Sequence, residues 1–224
     1  MEGLRFVGAH VPAEGLLCAG CRMVPPDFVR AVAYGVYEDE LRELVHLLKY
    51  ERVSAVAKPL GSKLAAAIRM LEGLAARELV VVAVPLYPAK ERQRGYNQAL
   101  LLAEAALAEL KKSDPEWRLR LDRDCLRRVR DTESQFGLNP KQRRANLRGA
   151  FEVRPAADLI GREVLLVDDI YTTGATARAC SRVLLQAGAS KVWVATVSRA
   201  QPEMVASWDA SSDVAVWDAG VELT

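Results

Sequence analysis

The sequence lacks three features that mark common protein classes: a long apolar run, an excess of one charge and many aromatic side chains. Its longest strongly apolar stretch, residues 79–86, is far shorter than the roughly 20 residues that cross a bilayer, so we expect no contact with a membrane. Its 31 Lys and Arg nearly balance 29 Asp and Glu, which excludes a surface given over to wrapping nucleic acid. Any anion-binding site must therefore be local.

Cysteine is also scarce, and residues 1–5 contain no basic segment leading into an apolar one. We therefore expect no signal peptide and a cytoplasmic protein. In that reducing compartment the four cysteines are thiols or metal ligands rather than disulfides. Cys18 and Cys21 form a Cys-x-x-Cys pair and are the candidate zinc ligands. Because a structural zinc requires four ligands, we favour a vestigial turn over bound Zn²⁺.

Apolar spacing predicts alternating helices and strands after residue 38. Helices are predicted behind a capping Asp39 and over residues 60–71, 96–112 and 173–187, and strands over 79–84, 150–153, 163–167 and 191–197. Continuous apolar strands that alternate with helices indicate an α/β fold, with a mostly parallel sheet flanked by helices. We divide the chain into an N-terminal appendage (1–38), a core (39–200) and an acidic tail (201–224) that has no Lys or Arg.

The clearest chemistry lies in the segment from Val164 to Thr176. Apolar residues lead to Asp168 and Asp169, and a short hydroxylated loop then opens a helix. Backbone N–H groups at a helix start suit a phosphate, and Gly174 allows close approach of the backbone. The carboxylates would repel phosphate but suit the hydroxyls of a ribose. We predict catalytic roles for both aspartates and phosphate binding by Thr172, Thr173, Gly174, Ala175 and Thr176.

Two competing phosphate-binding motifs do not fit this segment. A P-loop requires a Lys after its second glycine, and none is present. A dinucleotide fingerprint requires three glycines, and only Gly174 is present. The segment resembles the phosphoribosyl pyrophosphate (PRPP) signature of the type I phosphoribosyltransferase family. That resemblance implies the fold of this family, PRPP binding together with Mg²⁺, and transfer of the phosphoribosyl group with pyrophosphate as the leaving group.

A basic segment follows the first of these predicted strands. Arg94, Gly95 and Tyr96 resemble the Arg-Gly-aromatic turn with which several family members hold pyrophosphate. The predicted pyrophosphate-binding residues are Lys90, Arg92, Arg94, Gly95 and Tyr96, with Gly95 at the start of the following helix. For Lys90 and Arg92, the solvated rim of a helix start is the alternative interpretation.

Residues 118–148 contain ten basic and four acidic residues, a concentration of charge that calls for an anion. By the same resemblance, residues 131–149 are a flexible lid that closes over the substrate, and its candidate residues are Gln135, Arg143, Arg144 and Asn146. Two alternatives stay open at this point. The segment is a solvated charged helix, or it contacts nucleic-acid phosphates through Arg127, Arg128 and Arg130.

Further segments resemble the ComF family of competence-associated, phosphoribosyltransferase-like proteins. They are Arg94–Gln98, the Thr132 to Leu138 and Arg144 to Phe151 patterns, and the pair Lys49 and Tyr50. The resemblance covers residues 18–199 and implies a cytoplasmic bacterial protein linked to DNA uptake. Members usually carry two Cys-x-x-Cys pairs in a zinc ribbon, so Cys18 and Cys21 are interpreted as its remnant.

Two functions remain open on the sequence alone. The first is an enzyme that transfers a phosphoribosyl group from Mg²⁺-bound PRPP to an unknown nucleobase or amine, and it is expected to be a homodimer. The second is a non-catalytic sensor of PRPP or nucleotides that binds single-stranded DNA or a competence protein through the Arg-rich segment. Few aromatic residues lie near those arginines for base stacking, so DNA binding ranks second.

Overall fold

The computed structural model describes residues 25–131, 146–155 and 157–200. Several predictions lie outside these residues: the zinc remnant Cys18 and Cys21, the lid residues Gln135, Arg143 and Arg144, and the acidic tail. The described elements follow the chain in this order: β1 (Arg30–Val36), α1 (Asp39–Tyr50), α2 (Ala57–Arg69), β2 (Glu78–Ala83), α3 (Pro88–Arg94), α4 (Gln98–Ser113), β3 (Arg118–Leu121), β4 (Leu126–Arg128), β5 (Phe151–Val153), β6 (Glu163–Tyr171), α5 (Ala175–Gln186) and β7 (Lys191–Arg199).

The main sheet of the described residues has five strands in the order β1-β7-β6-β2-β3. Every neighbouring pair is parallel, and β4 and β5 form a separate antiparallel ladder. Helices pack on the sheet, so the predicted α/β class with a mostly parallel sheet is confirmed. No described helix combines the length and apolar character needed to cross a bilayer.

The chain reverses direction across the sheet between β2 and β6. After β2 the chain continues to β3 at one edge, whereas after β6 it continues to β7 on the other side. The two loops that follow β2 and β6 therefore diverge and leave a crevice at the carboxyl ends of the strands, where open α/β sheets bind ligands. The Val84 N–H donates to the Val167 carbonyl at 2.9 Å and holds the two strands together at this edge.

Two apolar cores cover the two faces of the sheet. Leu165 and Val167 of β6 pack with buried side chains of α1, α2 and α4, whereas Val164 and Leu166 pack with α5 and the β4–β5 ladder. A strand that is covered on both faces needs apolar residues at successive positions, which explains the unbroken apolar runs.

The amino end of β6 is fixed by one carboxylate. Glu163 accepts hydrogen bonds from the Ala76 N–H at 3.0 Å, from Lys191 Nζ at 2.9 Å and from Trp193 Nε1 at 2.8 Å. Because these donors come from β7 and from the segment before β2, the side chain joins three parts of the sheet.

The structure corrects several predicted boundaries. Residues 30–36 are β1, paired in parallel with β7, so the division at residue 38 is wrong and the main sheet begins inside the predicted appendage. Asp39 is the first residue of α1 and does not cap it, because the N-cap position is Glu38. The predicted strand that ended at residue 167 continues to Tyr171. Helices predicted from residues 96 and 173 begin at 98 and 175.

Candidate functional site

Asp168 and Asp169 lie within the hydrogen-bonded part of β6, close to its carboxyl end. Asp168 is opposite Thr196 of β7, and one of its carboxylate oxygens accepts the Asp169 N–H at 2.9 Å. The Asp169 side chain is almost completely buried. The strand positions the two carboxylates rigidly, since their backbone belongs to the central sheet and not to a loop.

Lys49, at the end of α1, forms an ion pair with this carboxylate pair. Its Nζ lies 2.9 Å from Asp169 Oδ1, and the two side chains are 19% and 4% exposed. In the sequence, Lys49 was noted only because the pair Lys49 and Tyr50 resembles a pattern of the ComF family. A basic residue in the last turn of a helix is ordinary, so nothing local indicated a partner 120 positions away.

The ion pair and burial change the protonation of the site. Burial, followed by the negative charge of Asp169, raises the pKa of Asp168 to about 8. Burial alone would lower the pKa of Lys49, but the attraction of Asp169 and Asp168 outweighs it and raises that pKa. At neutral pH the site therefore contains a charged Lys49 and an Asp168 that is mostly protonated.

The loop after β6 leads directly into α5 and has the form of an anion site. Gly174 adopts a left-handed conformation, with φ of 74°, immediately before the helix. A Cβ at this position would lie 2.3 Å from the Tyr171 hydroxyl oxygen, so only glycine fits. The Arg178 N–H donates the hydrogen bond that begins α5, to the Gly174 carbonyl at 2.9 Å. The earlier N–H groups of Ala175, Thr176 and Ala177 have no intrahelical acceptor, as at any helix start.

Two side-chain oxygens in this region are buried without a partner. Among the described residues, Asp169 Oδ2 and Thr173 Oγ1 are both inaccessible to solvent, and neither atom takes part in a hydrogen bond. Leaving such a group unsatisfied costs about 1–3 kcal/mol, and buried polar atoms in folded proteins are normally paired. The two oxygens belong to the two halves of the predicted sugar phosphate site, which is consistent with a ligand that supplies the missing partners.

The basic segment after β2 has a different structure from the predicted one. Residues 88–94 form the short helix α3, and Gly95, with φ of 91°, ends it. The prediction that Gly95 starts a helix is therefore wrong. Its N–H donates to the Glu91 carbonyl at 2.7 Å, so this amide is already used within the protein.

The predicted pyrophosphate side chains of this segment have several contacts of their own. Arg94 Nη1 donates to Gln98 Oε1 at 2.6 Å, and the Tyr96 hydroxyl donates to the Leu48 carbonyl at 2.7 Å. Lys90 Nζ lies 3.7 Å from Asp131 Oδ1, and Arg92 is exposed. The structure brings all of them to the β2 side of the crevice, and their role in binding pyrophosphate stays a prediction.

Asn97 is a structural residue of the site that we did not single out from the sequence. Its Oδ1 accepts the N–H groups of Ala99 and Leu100, at 3.0 and 3.3 Å, and its Nδ2 donates to the Val84 carbonyl at 3.1 Å. Asn97 thus caps α4 and fixes it to the end of β2. The signal was present, since Asn is a preferred N-cap residue before an apolar periodic segment.

The described part of the Arg-rich segment does not form a uniform basic surface. Arg128 is half-buried on β4, with its guanidinium 5.6 Å from the Phe151 ring, whereas Arg127 is exposed. Arg130 Nη1 donates to the Arg148 carbonyl at 2.5 Å. Burial lowers the pKa of Arg128, while the negative charges of Asp168 and Asp131 act in the opposite direction. Asn146, the one lid residue that is described, precedes a turn.

The described residues do not form a metal site of their own. They contain no cluster of three His, Cys, Asp or Glu side chains that could hold an ion. Asp169 Oδ1 pairs with the Lys49 ammonium. Cys125 and Cys180 are buried thiols, and burial raises the pKa of Cys125 to about 12. The binding of Mg²⁺ together with PRPP stays a prediction.

Comparison with known proteins identifies relatives over most of the chain. DNA utilization protein YhgH of Escherichia coli strain K12 is 32% identical over 199 residues, which cover 86% of this chain and 79% of that protein. Competence protein F of Haemophilus influenzae is 30% identical over 186 residues, which cover 82% of this chain and 78% of that protein. Competence protein ComFC of Bacillus subtilis is 31% identical over 115 residues, 50% of this chain and 40% of that protein. No family model matches the chain.

Comparison with solved structures gives matches over about two thirds of the chain. The protein TT1426 from Thermus thermophilus is 23% identical with a TM-score of 0.37, and the match covers 69% of this chain and 78% of that one. A hypoxanthine phosphoribosyltransferase from Staphylococcus aureus is 13% identical with a TM-score of 0.36, over 68% of this chain and 74% of that one. The parallel sheet, its order and the strand–loop–helix at Asp168 give the chain the type I phosphoribosyltransferase fold. On the evidence of the relatives, the chain belongs to the ComF family.

Proposed function

We propose that this chain binds PRPP in the crevice between β2 and β6 and transfers its phosphoribosyl group to a nitrogen acceptor. One observation carries the proposal. Asp169 Oδ2 and Thr173 Oγ1 are buried without partners, close to a turn that only glycine can form. A sugar phosphate satisfies both atoms at once, because it has hydroxyls to donate at one end and oxygens to accept at the other.

In this proposal the β6 loop binds the 5′-phosphate and the aspartates bind the ribose. The N–H groups of Ala175, Thr176 and Ala177, with the Thr173 hydroxyl, donate to the phosphate at the positive end of the α5 dipole. Asp169 accepts from a ribose hydroxyl, and the protonated Asp168 has a proton to donate to the other. The sugar is thus held at two points about its reacting carbon.

Catalysis at this site rests on positioning and charge. The bond between C1′ and the pyrophosphate oxygen breaks, the acceptor nitrogen forms a bond to C1′, and the proton that this nitrogen loses passes to the released pyrophosphate or to solvent. Positive charge develops on the sugar and negative charge on the leaving group, so Lys90, Arg92 and Arg94 are proposed to neutralise the pyrophosphate, which brings its own Mg²⁺. No nucleophilic side chain is needed. The acceptor is a nucleobase or an amine, and the names of the relatives support a role in the use of DNA taken up by the cell.

Isothermal titration calorimetry tests the binding step. Wild-type protein should bind PRPP and ribose 5-phosphate. Asp169→Asn should weaken the binding of ribose 5-phosphate about tenfold, because a hydrogen bond to a charged group contributes about 1.5–3 kcal/mol, and it should weaken PRPP binding less, because the more negative ligand gains more from the removed carboxylate charge. Asp158→Asn is the matched control, since Asp158 is an exposed carboxylate paired with Arg162. Wild-type protein that binds neither compound, with or without Mg²⁺, would refute the proposed function.

The transfer step is tested by release of pyrophosphate. PRPP and the wild-type protein are incubated with a panel of nucleobases and amines, and pyrophosphate is measured enzymatically. Release above the rate without acceptor is expected for at least one compound, and it should fall in Asp169→Asn but not in Asp158→Asn. If PRPP binds and no acceptor supports release, the binding part of the proposal stands and the transfer part is overturned.

A further inference from the structure

We propose that Lys49 is a positioning residue that supplies the positive charge of the sugar site and selects which oxygen of Asp169 faces the ligand. This inference rests on the proposed function, because it concerns how the same crevice accepts a highly charged sugar phosphate. It assigns a role to α1, which lies outside the two loops that carry the recognised motifs.

The geometry leaves one oxygen of Asp169 for a ligand. Lys49 Nζ lies 2.9 Å from Oδ1, whereas Oδ2 is buried and has no partner among the described residues. The ammonium therefore fixes the rotation of the carboxylate about its bond to Cβ. In the resulting orientation, Oδ2 is the oxygen whose hydrogen-bonding capacity is unused in the unbound protein, and in this proposal a ribose hydroxyl supplies its partner when the ligand binds.

The end of α1 is itself fixed to the opposite side of the crevice. The Leu48 carbonyl accepts the Tyr96 hydroxyl at 2.7 Å, and Arg52 Nη2 donates to the Gln93 carbonyl at 2.5 Å. The Arg94 guanidinium lies 5.9 Å from the Tyr50 ring. Residues 48–52 thus connect the β2 side of the crevice with Asp169 on the β6 side, and Lys49 lies in the middle of this connection.

Charge explains why a cation is useful at this position. PRPP carries several negative charges, and a buried carboxylate repels them strongly because the protein interior screens charge poorly. Lys49 offsets the charge of Asp169 and leaves the site close to neutral, since Asp168 is mostly protonated at neutral pH. Stability alone is a weak reason for the pair, because replacing a buried ion pair with apolar residues is often neutral or stabilising.

The experiment compares two ligands of different charge. Affinities for ribose 5-phosphate and for PRPP are measured by calorimetry in wild type, Lys49→Gln, Lys49→Arg and Lys58→Met. Lys49→Gln keeps a donor for Asp169 and removes the charge. The matched control changes Lys58, an exposed lysine on α2. Thermal unfolding of each variant checks that it is folded.

A charge role predicts unequal losses. Lys49→Gln should weaken ribose 5-phosphate about threefold and PRPP about 30-fold or more, because the lost attraction scales with ligand charge. Lys49→Arg should restore most of the affinity for both, and Lys58→Met should change neither. Asp169→Asn, which keeps the lysine and removes its partner's charge, should shift the PRPP to ribose 5-phosphate affinity ratio in the opposite direction. This arm keeps the test decisive if Lys49→Gln does not fold.

The role of Lys49 would be overturned if Lys49→Gln lost the same affinity for both ligands, or if Asp169→Asn left the affinity ratio unchanged. In either case, ligand binding by the wild-type protein would leave the proposed function intact. Wild-type protein that binds neither ligand would overturn both. The two failures are therefore distinguishable in one set of titrations.

Discussion

The two loops that meet between β2 and β6 differ in how far their own polar groups are already satisfied. In residues 88–98, the Gly95 N–H, the Arg94 guanidinium and the Tyr96 hydroxyl all donate to acceptors within the protein. In residues 172–176, the Thr173 hydroxyl is buried without a partner, and the first amides of α5 have no intrahelical acceptor.

This difference teaches where binding energy comes from. A loop whose donors are already paired must exchange those bonds for ligand contacts and gains little. A loop with a buried unsatisfied hydroxyl carries its cost in the unbound protein and recovers it when a ligand arrives. We therefore expect the β6 loop to supply most of the affinity, and the β2 loop to act mainly after the pyrophosphate is in position.

The largest effect is expected from Gly174→Ala compared with Gly95→Ala. Both glycines have positive φ, but a Cβ at 174 meets the Tyr171 hydroxyl oxygen at 2.3 Å, whereas a Cβ at 95 meets nothing within 4 Å. The Tyr171 ring has little room to move, since it packs edge-on against Phe28. Gly174→Ala should weaken the binding of ribose 5-phosphate by about 100-fold, because two charge-assisted hydrogen bonds to the ligand are lost. Calorimetry measures the affinities.

Gly95→Ala should destabilise the protein by about 1–2 kcal/mol through the left-handed backbone alone and keep the affinity for ribose 5-phosphate. Gly73→Ala is the control for this loss of stability, because Gly73 also has a positive φ, +76°, and the added Cβ has no atom within 4 Å. Its thermal unfolding measures the free-energy cost of the left-handed backbone alone. An equal loss of affinity at positions 95 and 174 would contradict the comparison.

The next effect concerns the unsatisfied hydroxyl. Thr173→Val should weaken ribose 5-phosphate about tenfold, since a donor to a charged phosphate is lost, while the folded protein should be as stable as wild type or more so. The matched control is Thr196→Val, because the Thr196 hydroxyl is buried and donates to the Ser198 carbonyl at 3.0 Å. That variant should lose stability by about 1 kcal/mol and keep its affinity. Chemical denaturation and calorimetry separate the two outcomes.

A smaller effect is expected in the dependence of stability on pH. The pKa of Asp168 in the folded protein is raised to about 8, so its contribution to stability is fully present below its unfolded pKa near 4 and is lost as pH rises through about 8. Asp168→Asn should remove this loss and gain about 1–3 kcal/mol relative to wild type between pH 5 and pH 8. Denaturation at a series of pH values measures it. Parallel curves for the two proteins would show that Asp168 ionises normally.

The smallest effect is expected in the loop that is already satisfied. Tyr96→Phe removes the hydrogen bond to the Leu48 carbonyl and should cost about 1 kcal/mol of stability. Ribose 5-phosphate affinity should not change, because that ligand does not reach the pyrophosphate side. A loss of affinity as large as that of Thr173→Val would reverse the proposed ranking of the two loops.

The sequence was sufficient to predict the central strands β2, β6 and β7 and the loop that leads into α5, and the reason is physical. Central strands covered on both faces require continuous apolar residues, and a helix that starts with a glycine turn has a local signature. Edge strand β1 is only half-buried over most of its length, and its residues were assigned to an appendage. The short helix α3 contains mainly charged residues and has no apolar period to detect.

The electrostatics of the site could not be predicted in the same way. Lys49 and Asp169 are far apart in the chain, and neither has a neighbour that indicates the other. The position of the two aspartates inside β6 was also missed, because polar residues at the end of an apolar run are usually taken as its end. Both features depend on tertiary packing, which overrides local propensity.

Glu163 and Asp168 lie on the same strand and respond to acid in opposite ways. Burial would raise the pKa of Glu163, but hydrogen bonds from Lys191, the Ala76 N–H and Trp193 outweigh it and lower that pKa, so its contribution is present at neutral pH and is lost as the pH falls through that lowered pKa. Asp168 at the other end is most favourable when protonated. These two groups together stabilise the central strand most in mildly acidic solution. A ligand that ionises Asp168 on binding releases a proton to the buffer. The measured binding enthalpy of such a ligand therefore depends on the buffer.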